Sequence, residues 1–265
     1  MGKILVPDPV VLAMMGDSTM CGRLAAGSGN TIPYVLVALL ALRYAPARAP
    51  YRDPFLSPLI VVGTELDSGA NAASPLLPLC PSNCVPGRLA KWVVDGTDGV
   101  SPVPTVAQMI SGLSTGLRIT HVGCELVAND IAAGHSVEDS IEYMNTILTQ
   151  SNAYSSTVKT FAVAPKKTLD SGDPTIHANV DQAAEDIMGG AVTAARIAPV
   201  DFSGFTNAHM INSATDAHPS VPASPTLATW TGTVDFTTSG IWYLAARLFE
   251  RVMSAAVPYL PGDTH

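Results

Sequence analysis

The chain has 265 residues, 47% hydrophobic and only 14% charged, which suffices for one larger α/β domain or two small ones. A net charge of −8 and a pI near 5.1, with no Lys/Arg cluster interleaved with aromatics, argue against a nucleic-acid groove. The longest apolar stretch, Val35 to Leu42, falls far short of the roughly 20 residues that a membrane span needs, so no transmembrane segment is expected.

Apolar runs bounded by turn residues recur along the chain. Val10–Met15 reads as the first buried strand, and Val35–Leu42 as a buried helix. Further strand-like runs lie at Leu59–Val62, Trp92–Val94, Ile119–Val122, Thr160–Ala164 and Ile197–Val200. Between them, 106–110 has a helical pattern, and Ser136 opens a capping box with Asp139 ahead of Val137, Ile141, Met144 and Leu148. Asp173-Pro174 is an N-cap followed by a first-turn proline, with Ile176, Val180, Ala183 and Ile187 on one face. Ile241, Leu244, Leu248 and Val252 form the stripe of a last helix. Strand and helix in alternation predict a single α/β domain over 1–265, with a mostly parallel sheet of about five strands covered on both faces.

Two stretches break the alternation. Residues 46–90 are rich in Pro, Ser, Ala and Gly, and 219–238 separate a His-Pro from the last helix. Segments this long in a compact domain are expected to border a site or contact a partner. Cys80 and Cys84 either close a small loop in an oxidising compartment or remain two thiols, and no second Cys/His pair has zinc-ligand spacing. Cys124 reads as core, and Cys21 as core or pocket wall. The start, Met1 to Pro7, has no signal-peptide h-region, and Val6 stands where myristoylation asks for Ser or Thr. The compartment stays open, cytoplasmic or virion-associated, as does homo-oligomerisation.

Chemistry concentrates in four short blocks. Gly16-Asp17-Ser18 directly follows the first strand, where an open α/β sheet presents its site. Asp95-Gly-Thr-Asp-Gly99 and Ala128-Asn129-Asp130 each follow an apolar run, and Asp216-Ala217-His218-Pro219 comes about two hundred residues after Ser18. Serine, glycine, asparagine and histidine in this order resemble the SGNH subgroup of the GDSL esterases and lipases. The resemblance implies a three-layer α/β/α, flavodoxin-like domain that hydrolyses carboxylic esters through an acyl-enzyme, with no metal or organic cofactor. It makes Ser18 the nucleophile and His218 the general base, since a neutral imidazole can accept the serine proton. The backbone N–H groups of Ser18 and Gly99 and the side-chain amide of Asn129 would bind the oxyanion. A small-molecule or carbohydrate ester, preferably with a short acyl or acetyl group, is the substrate this implies.

The chain departs from the family in two places. Val127 replaces the glycine of Gly-x-Asn-Asp, and the family's Asp-x-x-His becomes Asp216-x-His218, with Thr215 at the usual carboxylate position. Asp216 is the preferred partner of His218. Asp201 or a backbone carbonyl, the latter leaving a Ser–His dyad, are the alternatives. The family's last helix usually follows its histidine closely, so 219–238 reads as an insertion. Gly112-Leu-Ser114-Thr-Gly116 matches the nucleophile elbow of α/β-hydrolases, but helix before and strand after reverse the context which that motif needs. Acyl transfer, or a non-catalytic binding module of a virion or surface assembly, are readings from other classes. The altered spacing, Val127 and the mean hydropathy of +0.28 favour the module; Ser18, Asn129 and His218 together oppose it.

Overall fold

A computed structural model describes residues 10–21, 32, 35, 36, 60–63, 87–111, 119–220 and 239–256. Most of 46–90 and 219–238 lies outside these residues, as do Cys80, Cys84, Ser114 and His265. The elements are β1 (Val10–Met15), α1 (Ser18–Cys21), β2 (Ile60–Gly63), α2 (Ala90–Asp95), α3 (Val106–Ser111), β3 (His121–Cys124), α4 (Ala128–Ala132), α5 (Val137–Tyr154), β4 (Lys159–Ala162), α6 (Pro174–Met188), β5 (Met210–Asn212), β6 (Asp216–Pro219) and α7 (Gly240–Ala256).

Four strands form a parallel sheet in the order β2-β1-β3-β4. A single parallel bridge, Val163 to Val200, continues it beyond β4, so the expected strand at 197–200 is reduced to one pairing. The strand-like run expected at 59–62 joins the sheet as β2, beside β1. Period-two alternation in β1 explains the layers. Leu12 and Met14 pack with Phe161, Val163 and the α7 residues Ile241, Leu244, Leu248 and Val252 on one face. Ala13 and Met15 pack with Val122, Cys124, Ala162 and the inner faces of α2, α5 and α6 on the other. Burial on both faces is why the strands read as continuous apolar runs.

Local signals hold at α5, where the Ser136 side chain accepts from the Asp139 N–H, and at α6, where Asp173 accepts from Thr175 ahead of Pro174. Trp92–Val94, expected as a strand, lies in α2 instead. Ala90 and Val93 are its buried residues, a spacing of three that suits one face of a helix. The N-cap residue of α2, Leu89, offers no side-chain acceptor; the buried Asp130 carboxylate accepts from the N–H groups of Ala90 and Lys91 at 2.7 and 3.0 Å. Residues 216–219, which no strand signal marked in the sequence, are β6, antiparallel to β5.

Candidate active site

The carboxyl ends of β1 and β3 and the extension of β4 open onto one rim. Gly16 leaves β1 there. A Cβ on Gly16 would lie 2.5 Å from Met20 Cβ and 3.1 Å from Glu125 Oε2, so only glycine lets the chain turn this closely. Asp17, buried, accepts from the Thr19 N–H at 2.8 Å and donates its own N–H to Glu125 Oε2 at 3.3 Å. This turn puts Ser18 on the first position of α1, half-buried at the rim.

The hairpin β5–β6 brings the distant block to the same place. His218 Nε2 stands 2.9 Å from Ser18 Oγ, and His218 Nδ1 stands 2.5 Å from Asp216 Oδ1. The same Oδ1 also accepts from the His218 backbone N–H at 2.9 Å. A carboxylate two residues ahead of a histidine can therefore grip both its main chain and its ring, which makes the shortened spacing workable. Asp201, the alternative partner, instead caps its own turn by accepting from the Ser203 N–H at 2.7 Å. It also lines an open cleft of about 830 Å³, with Lys167, Asp181, Glu185 and Asn207, that includes neither Ser18 nor His218.

Asn129 lies beside the turn that carries Ser18. Its amide donates to Asp17 Oδ2 at 3.0 Å and to the Arg88 carbonyl at 3.2 Å, tying the β1–α1 turn to the entry of α2. Gly99 does not join this cluster. It sits at the exposed tip of a turn closed by Thr97 Oγ1 donating to the Ser101 carbonyl, and its N–H donates to Thr97 Oγ1 at 3.0 Å. No described hydrogen bond ties Gly99, the expected oxyanion donor, to Ser18, Asn129 or His218; its N–H is engaged within its own turn. The glycine next to the cluster is Gly87, exposed, at φ +72°, with no atom within 4 Å of the place a Cβ would take, one residue before the carbonyl that Asn129 holds. Ser114 lies outside the described residues, but α3 ends at Ser111 and the next described strand is β3, the reverse of an elbow's strand–turn–helix order.

Two charged residues that no motif singled out complete the surroundings. Glu125, at the exit of β3, is buried beside the Gly16-Asp17 turn. Lys166, just past β4, donates from Nζ to the Ala217 carbonyl at 2.8 Å. Burial pushes its pKa below the ordinary lysine value, against the opposing pull of Asp17, Glu125 and Asp216. Their signal in the sequence is only positional, each standing just past a strand end. Among the described residues no group of His, Cys, Asp and Glu could hold a metal ion, and no helix is long and apolar enough to cross a membrane.

A scan against known protein families and a comparison with curated proteins return no match. Solved structures do match. A lipolytic protein of the G-D-S-L family from Veillonella parvula superposes with a TM-score of 0.56 at 11% identity, covering 92% of this chain and 99% of that one. The fold is that of the GDSL/SGNH hydrolases. A carbohydrate esterase of family 3 from Talaromyces cellulolyticus gives 0.57 at 15% identity, with 92% and 96% covered. A catalytic mutant of an acetylxylan esterase from Geobacillus stearothermophilus gives 0.51 at 13%, with 93% and 95% covered. At these identities the SGNH likeness is one of fold.

Proposed function

We infer that this chain is an SGNH-type serine esterase that cleaves carboxylic esters with a short acyl group, acetyl preferred. The observation that carries the reading is the unbroken relay from Ser18 Oγ through the His218 ring to the Asp216 carboxylate, with 2.9 and 2.5 Å steps. Esterases acting on carbohydrates or acetyl groups among the structures of the same fold support the substrate class.

In the first half-reaction Ser18 Oγ attacks the ester carbonyl carbon while its proton passes to His218 Nε2. The tetrahedral intermediate collapses, the C–O bond to the alcohol breaks, and Nε2 returns the proton to the leaving oxygen. Water then attacks the acyl-serine with His218 again as base, releasing the acid and restoring Ser18. Asp216 accepts from Nδ1, so the proton-accepting nitrogen faces the serine, and its charge offsets the imidazolium. The oxyanion falls to the Ser18 N–H, the Asn129 amide and, in place of Gly99, the Gly87 N–H. Of the two bonds that the Asn129 amide makes, the longer one, to the Arg88 carbonyl, is the one an oxyanion would take over.

The test is hydrolysis of 4-nitrophenyl acetate by wild type and Ser18→Ala. Wild type turns over, and Ser18→Ala falls to background with an unchanged fold by circular dichroism. An equally active Ser18→Ala protein would overturn the reading.

A further inference from the structure

The peptide unit between Ala217 and His218 is held at both ends. Its N–H donates to Asp216 Oδ1 at 2.9 Å, and its carbonyl accepts from Lys166 Nζ at 2.8 Å. The first hold comes from the same hairpin strand; the second crosses from the extension of β4, whose next pairings are to Cys124 and Val200 in the rigid sheet. Lys166 thus adds a second side-chain hold, beside that of Asp216, on the peptide from which the imidazole projects toward Ser18. The lysine also stands in the field of three carboxylates, Asp17 on the nucleophile's turn, Glu125 at the exit of β3 and Asp216 on β6. Its ammonium lies 5.4 Å from the centre of the Phe205 ring. A costly desolvated ammonium is retained where a plain apolar residue would pack, and what it touches is the carbonyl beside the base.

We propose that Lys166 is a positioning residue: it clamps the Ala217 carbonyl and so aims the His218 ring at Ser18. The proposal rests on Ser18 and His218 being nucleophile and base, and it deepens that reading.

Three variants and two readouts test this. In Lys166→Met, kcat on 4-nitrophenyl acetate falls by about 10–100-fold with KM within about twofold, as expected of a misaimed base. Lys166→Arg, which keeps the donor, restores most of the lost kcat. Lys166→Gln, a shorter side chain that still has a donor, falls between the two and serves where the Met variant fails to fold. Independently of activity, the His218 ring signals in NMR broaden or split in Lys166→Met, as expected of a ring no longer held toward Ser18, and stay single in wild type and Lys166→Arg. Unchanged His218 ring signals in Lys166→Met, or a loss of kcat that Lys166→Arg fails to restore, would mark a merely structural lysine and overturn the proposal. Equal activity of wild type and Ser18→Ala would sink the esterase reading while the ring signals still judged Lys166.

Discussion

Asp216 takes two hydrogen bonds on one oxygen, from the His218 ring and from the His218 main chain. That double grip is the residue-scale reason why a two-residue spacing can replace the family's three. It also predicts a sharp asymmetry. Asp216→Asn can still accept from the main chain, so the hairpin folds, but it loses the charge and the control of the tautomer. Expected is a loss in kcat of about 10³–10⁴-fold with an unchanged melting temperature. Steady-state kinetics and a thermal melt check it; near-wild-type turnover would leave a Ser18–His218 dyad. Ser18, His218 and Asp216 were legible because chemistry-bearing types stood beside strand ends and turns. Gly99 was less legible because a turn glycine and an oxyanion glycine look alike in sequence; in the fold its N–H donates to Thr97 Oγ1 within its own turn. Lys166 and Glu125 carried no motif, since their meaning comes from what folds over them.

At the scale of elements, the pair Asn129-Asp130 works as a clasp on α2. Asn129 holds the Arg88 carbonyl, and Asp130 supplies the N-terminal acceptors that Leu89 cannot. Asp130 is fully buried, and burial raises its pKa despite the N–H groups of Lys91 and Ala90 that favour its charge. Asp130→Ala strands both donors and is expected to cost about 1–3 kcal/mol, read as a lower urea midpoint at unchanged slope. Asp130→Asn, with one acceptor oxygen left, should lose less. This clasp explains why Trp92–Val94 defeats a strand reading. Three consecutive apolar residues fit either state, and the arbiter is a carboxylate forty positions downstream. The β5–β6 hairpin was hidden for a related reason, because Asp216-Ala-His-Pro219 has no apolar alternation to mark a strand. By contrast α5 and α6 carry local capping and stripes that need no distant partner, and both formed as expected.

For the whole molecule, two apolar cores on a parallel sheet make the fold readable from alternation alone, whereas the rim chemistry depends on long-range closure. One core group ties global stability to pH. His121 lies buried in β3, its Nδ1 2.8 Å from Thr120 Oγ1 and its Nε2 without a partner among the described residues. Burial, with a smaller push from Lys159, lowers its pKa to about 4 from 6.5. The folded state thus binds fewer protons than the unfolded chain between these values. Its stability contribution is full above pH 6.5 and is lost as pH falls toward about 4, on the order of 3 kcal/mol in total. Urea unfolding of wild type and His121→Leu from pH 4 to 7 should show a steeper acid slope in wild type; parallel curves would refute the assignment.

The central claim is that Ser18 is a nucleophile activated by His218, and covalent trapping tests it most directly. The protein is incubated with a fluorophosphonate ester, digested, and mapped by tandem mass spectrometry. The account predicts one adduct, on Ser18, absent from Ser18→Ala and strongly slowed in His218→Ala. An adduct on Ser114, or no adduct on Ser18 in the folded wild-type chain, would contradict it.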